Sequence, residues 1–179
     1  TTTGDIALNQ AASNLSTLTV TSGRNFSTAA SAPISVGSGG MSVTVGGTAT
    51  TNSTITTSSS GSVTVVSGGA LTLNGNVAAN GSGDVALKTT GISDVSLLNG
   101  ATVSSTSGNL QVISGQSILT NTATNTTTEL STSGTLLLDA QKSIGVTANR
   151  IDTDAGTVAA VSAGVAAGSD IFINQVNGA

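Results

Sequence analysis

The chain contains no cysteine, histidine, tryptophan or tyrosine, and aromatic residues make up 1% of its 179 positions. These absences remove whole classes of chemistry. Without Cys there is no thiol nucleophile and no disulfide; without Cys and His there is no zinc centre of the usual kind; without His there is no Ser-His-Asp relay. Charge is scarce too: Asp, Glu, Lys and Arg together make 7%, with a net charge of −4. The four basic residues, Arg24, Lys88, Lys142 and Arg150, stand singly. Nucleic-acid binding rests on clustered Lys and Arg that displace counterions from phosphates, so no nucleic-acid partner is expected. The longest apolar candidate, VAAVSAGVAAG at 158–168, is broken by Gly and Ser and falls short of the ~20 residues that cross a bilayer. No membrane insertion is expected.

What is present is small and β-branched. There are 31 Thr, 27 Ser and 23 Gly, close to half the chain. Leu, Ile, Val and Phe still supply enough apolar surface for a core, and mean hydropathy is +0.29, so disorder is not expected. Val, Ile and Thr are stiff at χ1 and suit a pleated surface better than a helix, which makes this an all-β composition. The Ala-rich stretch 155–168 invites a helix, but its glycines argue against one. No signal peptide or initiating Met opens the chain, and TTTGDIAL already reads as a strand entering a sheet. Residues 1–179 therefore read as a single segment of something larger.

Self-similarity dominates the rest. Short alternating strings, each opened by Gly, recur as GMSVTV (40–45), GSVTVV (61–66), GDVALK (83–88), GNLQVI (108–113), GTLLLD (134–139) and GTVAAV (156–161). TLTVTS (17–22) is an earlier copy without the Gly. Each alternates with period 2, the strand signature, and the copies lie about 22 residues apart. Within a unit two more strand-like pieces follow, as ALTL and NVAA follow VTVV. SGG, NG and NGSG separate them, and Gly, Asn and Ser tolerate tight turns. Three short strands per unit, about seven times over, predict a three-sided parallel solenoid.

One such coil cannot bury its apolar face, whereas coils stacked ~4.8 Å apart place aliphatic on aliphatic in continuous columns, a rod of about 34 Å for seven coils. The expected first-face pairs are Leu18/Val20, Val43/Val45, Val63/Val65, Val85/Leu87, Leu110/Val112, Leu136/Leu138 and Val158/Ala160. The second face takes Leu71/Leu73, Val95/Leu97, Ile118 and Ile144/Val146. The third takes Ile34/Val36, Ile55, Val77/Ala79, Val103, Leu130, Ile151 and Ile171/Ile173. The narrow interior is expected to exclude large aromatics. An antiparallel sandwich with NG hairpins is the rival organisation, but it has no reason to repeat at the longer period.

The strings GSVTVVSGGALTL (61–73), GNLQVISGQSI (108–118) and GTLLLDAQKSI (134–144) resemble the repeats of filamentous-haemagglutinin-type adhesins. The resemblance covers nearly the whole chain, loosely before residue 40. It implies a right-handed parallel β-helix belonging to the shaft of a large bacterial surface protein, secreted, displayed at the cell surface and serving adhesion. No basic receptor-binding patch is present, which places the piece in the shaft rather than the tip.

The acidic residues that could carry chemistry are Asp5, Asp84, Asp94, Glu129, Asp139, Asp152, Asp154 and Asp170. A β-helical carbohydrate-active enzyme would need paired carboxylates or an Arg/Lys base on adjacent coils, with aromatic platforms for sugar. Asp139 and Lys142 share a turn, and Asp152/Asp154 with Arg150 form the only dense cluster; both read more readily as solvated turn residues. Asp152-Thr153-Asp154 and the NGSGD run (80–84) could offer calcium oxygen ligands, but neither matches a calcium-binding repeat, and turn capping is the plainer account. Sequons at Asn14, Asn25, Asn52, Asn80 and Asn125 are as many as chance supplies. The Thr-rich runs 48–60 and 120–130 raise ice binding, which needs Thr-x-Thr in register on successive coils; STITT, NVAA, TVSS, TELS and NRID do not sustain it. The expectation is therefore a non-enzymatic shaft segment with no catalytic residue, metal or cofactor. Its partners would be further coils or identical copies stacked end to end, with cell-surface glycans or proteins contacted through regions outside this chain. A self-assembling surface-layer or matrix filament subunit is the alternative.

Overall fold

The computed structural model describes residues 2–123, 127–164 and 168–177, and every element within them is a strand, turn or bridge. The strand pairings are parallel throughout, and they resolve into three ladders that run the length of the molecule as about seven turns. The first face stacks Leu18–Ser22, Met41–Val45, Val63–Ser67, Val85–Thr89, Leu110–Ser114 and the second halves of the long strands Leu130–Ala140 and Ile151–Ser162. The second stacks Ile6–Leu8, Phe26–Thr28, Ala49–Thr51, Leu71–Leu73, Val95–Leu97 and Ile118–Thr120, then continues as single bridges through Ile144 and Ile171. The third runs from Ala12–Leu15 through Ile34–Val36, Ile55–Thr57, Val77–Ala79 and Val103–Ser105 to the first halves of the two long strands and Ile173–Gln175.

Alternation explains the burial. In the second- and third-face strands of the middle coils the outer two residues point in and the central one out, as in Leu71-Thr72-Leu73 and Val77-Ala78-Ala79. Inward positions join one contiguous aliphatic core, and the residues that touch it while only half buried are Ile6, Leu8, Leu15, Leu18, Ala160 and Ile173, all in the first or last coil. The Ala-rich stretch is strand as far as Ser162, while residues 165–167 of it lie outside the described region.

Five details of the expected columns are corrected. On the first face the register is Leu18, Met41, Val63, Val85, Leu110, Leu136, Val158, so the inward pair in the second copy is Met41/Val43 and Val45 lies one step further along. Gly40 misled the alignment: it sits at the level of Ser62, with φ at +75°, rather than at the level of Gly61. Val146 is 39% exposed, because the chain turns out of the second face at Gly145, φ +69°, and closes a tight turn between Val146 and Asn149. Ile171 bridges Ile144 on the second face, not the third. Leu130 is in register with Thr153, so Ile151 starts the third-face strand two residues early and stacks on Ile173 alone. Finally, Phe26 is fully inside the supposedly too narrow interior, between Ile6 and Ala49. The small Ala49 one rung up makes the room; volume is conserved across rungs rather than within one.

Two glycine columns run along the edges between faces. In Gly23, Gly46, Gly68, Gly91 and Gly115, and in Gly61, Gly83, Gly108 and Gly134, a Cβ on each residue after the first would fall on the carbonyl oxygen of the glycine one coil below. The leading glycine of the repeat is thus required by the coil-to-coil approach of the backbone, a contact between residues some 22 apart in sequence.

Candidate functional site

Acidic and amide side chains do one thing repeatedly. The residue just before a strand accepts, through its side-chain oxygen, the backbone N–H of the residue stacked one coil above. At the entrance to the second face Asp5 Oδ1 accepts from Asn25 N (3.2 Å), Asn25 Oδ1 from Thr48 N (2.8 Å) and Asp94 Oδ1 from Ser117 N (2.9 Å). At the entrance to the first face Ser62 Oγ accepts from Asp84 N (3.0 Å), Asp84 Oδ1 from Asn109 N (2.6 Å) and Asn109 Oδ1 from Thr135 N (3.1 Å). At the third, Asn76 Oδ1 accepts from Thr102 N (3.0 Å) and Glu129 Oε2 from Asp152 N (2.7 Å). These N–H groups lie where the ladder is just opening and would otherwise lack a partner, so each side chain extends the axial hydrogen bonding by one rung.

A second device handles several of the inward positions that are not aliphatic, though not Thr51, whose buried Oγ1 has no partner among the described residues. Ser67 Oγ donates to Gly69 O (2.7 Å), Thr89 Oγ1 to Ser93 O (2.9 Å), Ser114 Oγ to Ser117 O (2.9 Å), Ser105 Oγ to Gly83 O (2.7 Å) and Thr132 Oγ1 to Gly108 O (2.6 Å). Each buried hydroxyl thus satisfies a carbonyl at a corner where the strand pattern is interrupted. At the corner after the second face, Asn52, Asn74 and Asn99 form an amide ladder: Asn74 Nδ2 donates to Asn52 Oδ1 (2.8 Å) and Asn99 Nδ2 to Asn74 Oδ1 (2.9 Å). Asn121 Oδ1 extends it by accepting from Asn99 N (2.8 Å).

The sequence candidates fall into this scheme unevenly. Asp139 lies in the first-face ladder between Ile113 and Val161, while Lys142 Nζ meets Gln116 Oε1 (3.3 Å). Asp152 is not a solvated turn residue: it is fully buried in a strand, and its Oδ1 accepts from Asn174 Nδ2 (2.8 Å). Asp154, two residues on, accepts from Asn177 Nδ2 (2.7 Å) beside a shallow groove of about 500 Å³ whose lining includes Ser104, Thr106, Ser131 and Ser133. In the NGSGD run the acidic residue serves Asn109, and Gly81 takes φ of +103° at the turn. Among the described residues no three carboxylates converge as metal ligands would. Arg24 Nε stands 3.5 Å from Asp5 Oδ1 with both side chains well exposed, a pair of little energetic weight. Of the sequons, Asn25 and Asn52 are tied into inter-coil bonds, and Asn125 lies outside the described residues. The outward third-face column reads Ser35, Thr56, Ala78, Ser104, Ser131, Asp154, so threonine is not sustained along it.

Glu129 is the residue whose chemistry the sequence concealed. It is fully buried, and burial pushes its carboxyl above the ordinary range, with the neighbouring Asp152 charge adding to the shift. The Asp152 N–H and the Thr120 hydroxyl (Oγ1 to Oε1, 3.3 Å) oppose it only in part. Nothing local in TELS announces this, because the Asp152 N–H that Glu129 meets lies a whole coil away. No protein-family model, curated protein or solved structure matches the chain.

Proposed function

We propose that the chain is a shaft segment of a secreted bacterial surface adhesin or filament, located outside the cell, which holds a distant binding region at a fixed separation and takes no part in catalysis. The observation that supports it is the continuity of the axial bonding. Three parallel ladders, one unbroken aliphatic core and a repeated side chain-to-N–H bond all run in the same direction. Bending or unzipping such a rod opens main-chain bonds and separates stacked aliphatics at once, so the structure resists both. Asp5, Asp84, Asp94, Glu129, Asp152 and Asp154, with the amides beside them, are engaged in holding coils together, which supports a role as mortar rather than as ligand-binding groups. The repeat strings that resemble filamentous-haemagglutinin-type adhesins supply the surface-display part of the reading.

A whole-coil deletion tests it. Val85 and Leu110 are in register, so removing Val85–Asn109 deletes one rung and rejoins equivalent positions. On cells displaying the complete protein, the shortened version is expected to fold, to project less by about one rung of ~4.8 Å, and to keep adhesion. Loss of adhesion from a deletion that leaves the rod folded would place the binding site in this segment and end the spacer reading.

A further inference from the structure

Asn-Gly pairs stand at 74–75, 80–81, 99–100 and 177–178, and the first three lie wholly within the described residues. Two of them belong to the same tripeptide, Leu-Asn-Gly, at 73–75 and 98–100. The fold treats the two copies differently. Leu73 is in register with Leu97, so the second copy arrives one residue late. Asn74 N donates to Thr51 O (2.7 Å), and the equivalent bond one coil up is made by Leu98 N to Leu73 O (2.8 Å). Asn99 and Gly100 are left to project as a tight turn, with φ of +58° and +72°, closed by Ala101 N to Leu98 O (3.0 Å).

Their surroundings differ in the same sense. Gly75 N donates to Thr51 O (3.1 Å), and a Cβ on Gly75 would fall on the backbone of Ser53. Gly81 is held between coils: its carbonyl accepts from Ser107 N and Ser107 Oγ (both 2.9 Å), and a Cβ there would fall on Ser59 O. At Gly100 nothing lies within 4 Å of a Cβ. Among the described residues neither the Gly100 N–H nor the Asn99 C=O is hydrogen-bonded, so this peptide unit can turn. Asn99 is exposed, and its side-chain amide makes one bond, Nδ2 to Asn74 Oδ1 (2.9 Å). A backbone N–H that can lose its proton and swing onto the preceding side-chain amide is a nucleophile, and glycine permits the approach because no Cβ stands in the way.

We propose that Asn99–Gly100 is a self-modification site of the folded rod, which converts Asn99 to aspartate and isoaspartate and so parts the amide ladder between Asn74 and Asn99. Gly100 N gives its proton to solvent hydroxide and forms a bond to Asn99 Cγ. The Cγ–Nδ2 bond breaks, and Nδ2 leaves with a solvent proton as ammonia. Water then opens the resulting five-membered imide. Opening at Cγ restores the main chain with a carboxylate at position 99; opening at the main-chain carbonyl leaves the chain running through Cβ. The sum is one water taken up and one ammonia lost, with no change of oxidation state. Either product lacks the Nδ2 donor, so a carboxylate oxygen replaces it opposite Asn74 Oδ1, an acceptor. The isoaspartate also lengthens the turn that Ala101 N and Leu98 O close. The corner between the second and third faces is loosened at this rung, while Asn74 keeps its bond to Asn52.

The test ages the full chain at mildly alkaline pH, folded and in guanidinium, and maps the products by tandem mass spectrometry. Cleavage at Lys88 and Lys142 isolates Asn99 from Asn74 and Asn80, which fall together in the fragment that ends at Lys88. In the folded chain Asn99 is expected to convert about tenfold faster than Asn74, the factor set by first breaking the Gly75 N–Thr51 O bond and its packing. In guanidinium the two identical tripeptides are expected to convert alike. Gly100→Ala, which meets no neighbour, is expected to slow Asn99 to the level of Asn74. Asn99→Asp reproduces one product, and its Leu98 and Asn99 amides are expected to exchange with solvent about fivefold faster than in the parent chain. Conversion at Asn74 or Asn80 that matches Asn99 in the folded chain overturns the proposal. So does a preference for Asn99 that survives denaturation, or an Asn99 that stays intact in the folded chain while the denatured chain converts. Unchanged exchange in Asn99→Asp would remove the claim that the ladder parts. The spacer reading is untouched by any of these, since its test is adhesion after coil deletion.

Discussion

At the scale of the residue, side chains here act mainly on backbone atoms of the neighbouring coil. Gly83 and Gly100 make the point by contrast. A Cβ at position 83 would meet the carbonyl of Gly61, whereas at position 100 nothing lies within 4 Å and only the φ of +72° disfavours a side chain. Gly83→Ala is expected to cost about 2–3 kcal/mol by overpacking, and Gly100→Ala roughly 1 kcal/mol from the left-handed backbone alone; chemical denaturation of the two variants measures the difference. Glu129 yields a prediction with a definite sign. Its raised pKa means that the folded chain takes up the proton before the unfolded chain does. The buried charge therefore lowers stability at neutral pH, and that loss is relieved as pH falls through the raised value toward the ordinary carboxyl range. Glu129→Gln keeps an acceptor for Asp152 N–H and can donate to Thr120 Oγ1, so it is expected to raise the urea midpoint at pH 7 and to flatten this part of the pH dependence. A lower midpoint at pH 7 would show that the ionised group is a net stabiliser.

Elements in this chain are too short to be stable singly, and each strand derives its place from the rung beneath it. Leu110 is fully buried and Val146 is more than a third exposed, although the sequence pattern treats both as inward. Leu110→Ala is expected to cost about 2–5 kcal/mol through lost burial and the cavity left behind, and Val146→Ala less than about 0.5 kcal/mol. The Phe26–Ala49 pair tests packing between rungs. Ala49→Leu overfills the space beside Phe26 and is expected to cost about 1–3 kcal/mol. Combined with Phe26→Ala it is expected to cost less than the two single changes together, because the pair shares one volume. Additive effects would mean that Phe26 and Ala49 pack independently.

At the scale of the molecule, stability is a chain of nearest-neighbour terms between coils, each coil being held by those it stacks on. The core-contacting aliphatics that stay half buried all lie in the first or last of the described coils, where one stacked neighbour is described rather than two. Amide hydrogen exchange is expected to be slowest across Val63–Val112 and to quicken toward both ends, with the end coils opening locally before the rod unfolds.

Much of this architecture was legible in the chain itself. Period-2 alternation repeated about every 22 residues leaves little choice but stacked parallel coils, since no single coil can hide its apolar face, and Leu71/Leu73, Val95/Leu97 and Val85/Leu87 sit where that argument puts them. The absence of His and Cys had already narrowed the chemistry. What only the tertiary structure decided was register and environment. Met41 rather than Val43 joins the Leu18 column, because a repeat of 21 to 26 residues can be aligned at its glycines or at its strands, and the hydrogen-bonded ladder follows the strands. Asp84, Asp94 and Glu129 look like turn residues in the sequence because their partners, the N–H groups of Asn109, Ser117 and Asp152, lie a whole coil away. A linear pattern records which residues alternate; which backbone group a side chain reaches depends on how each loop closes, and that is settled only when the coils are stacked.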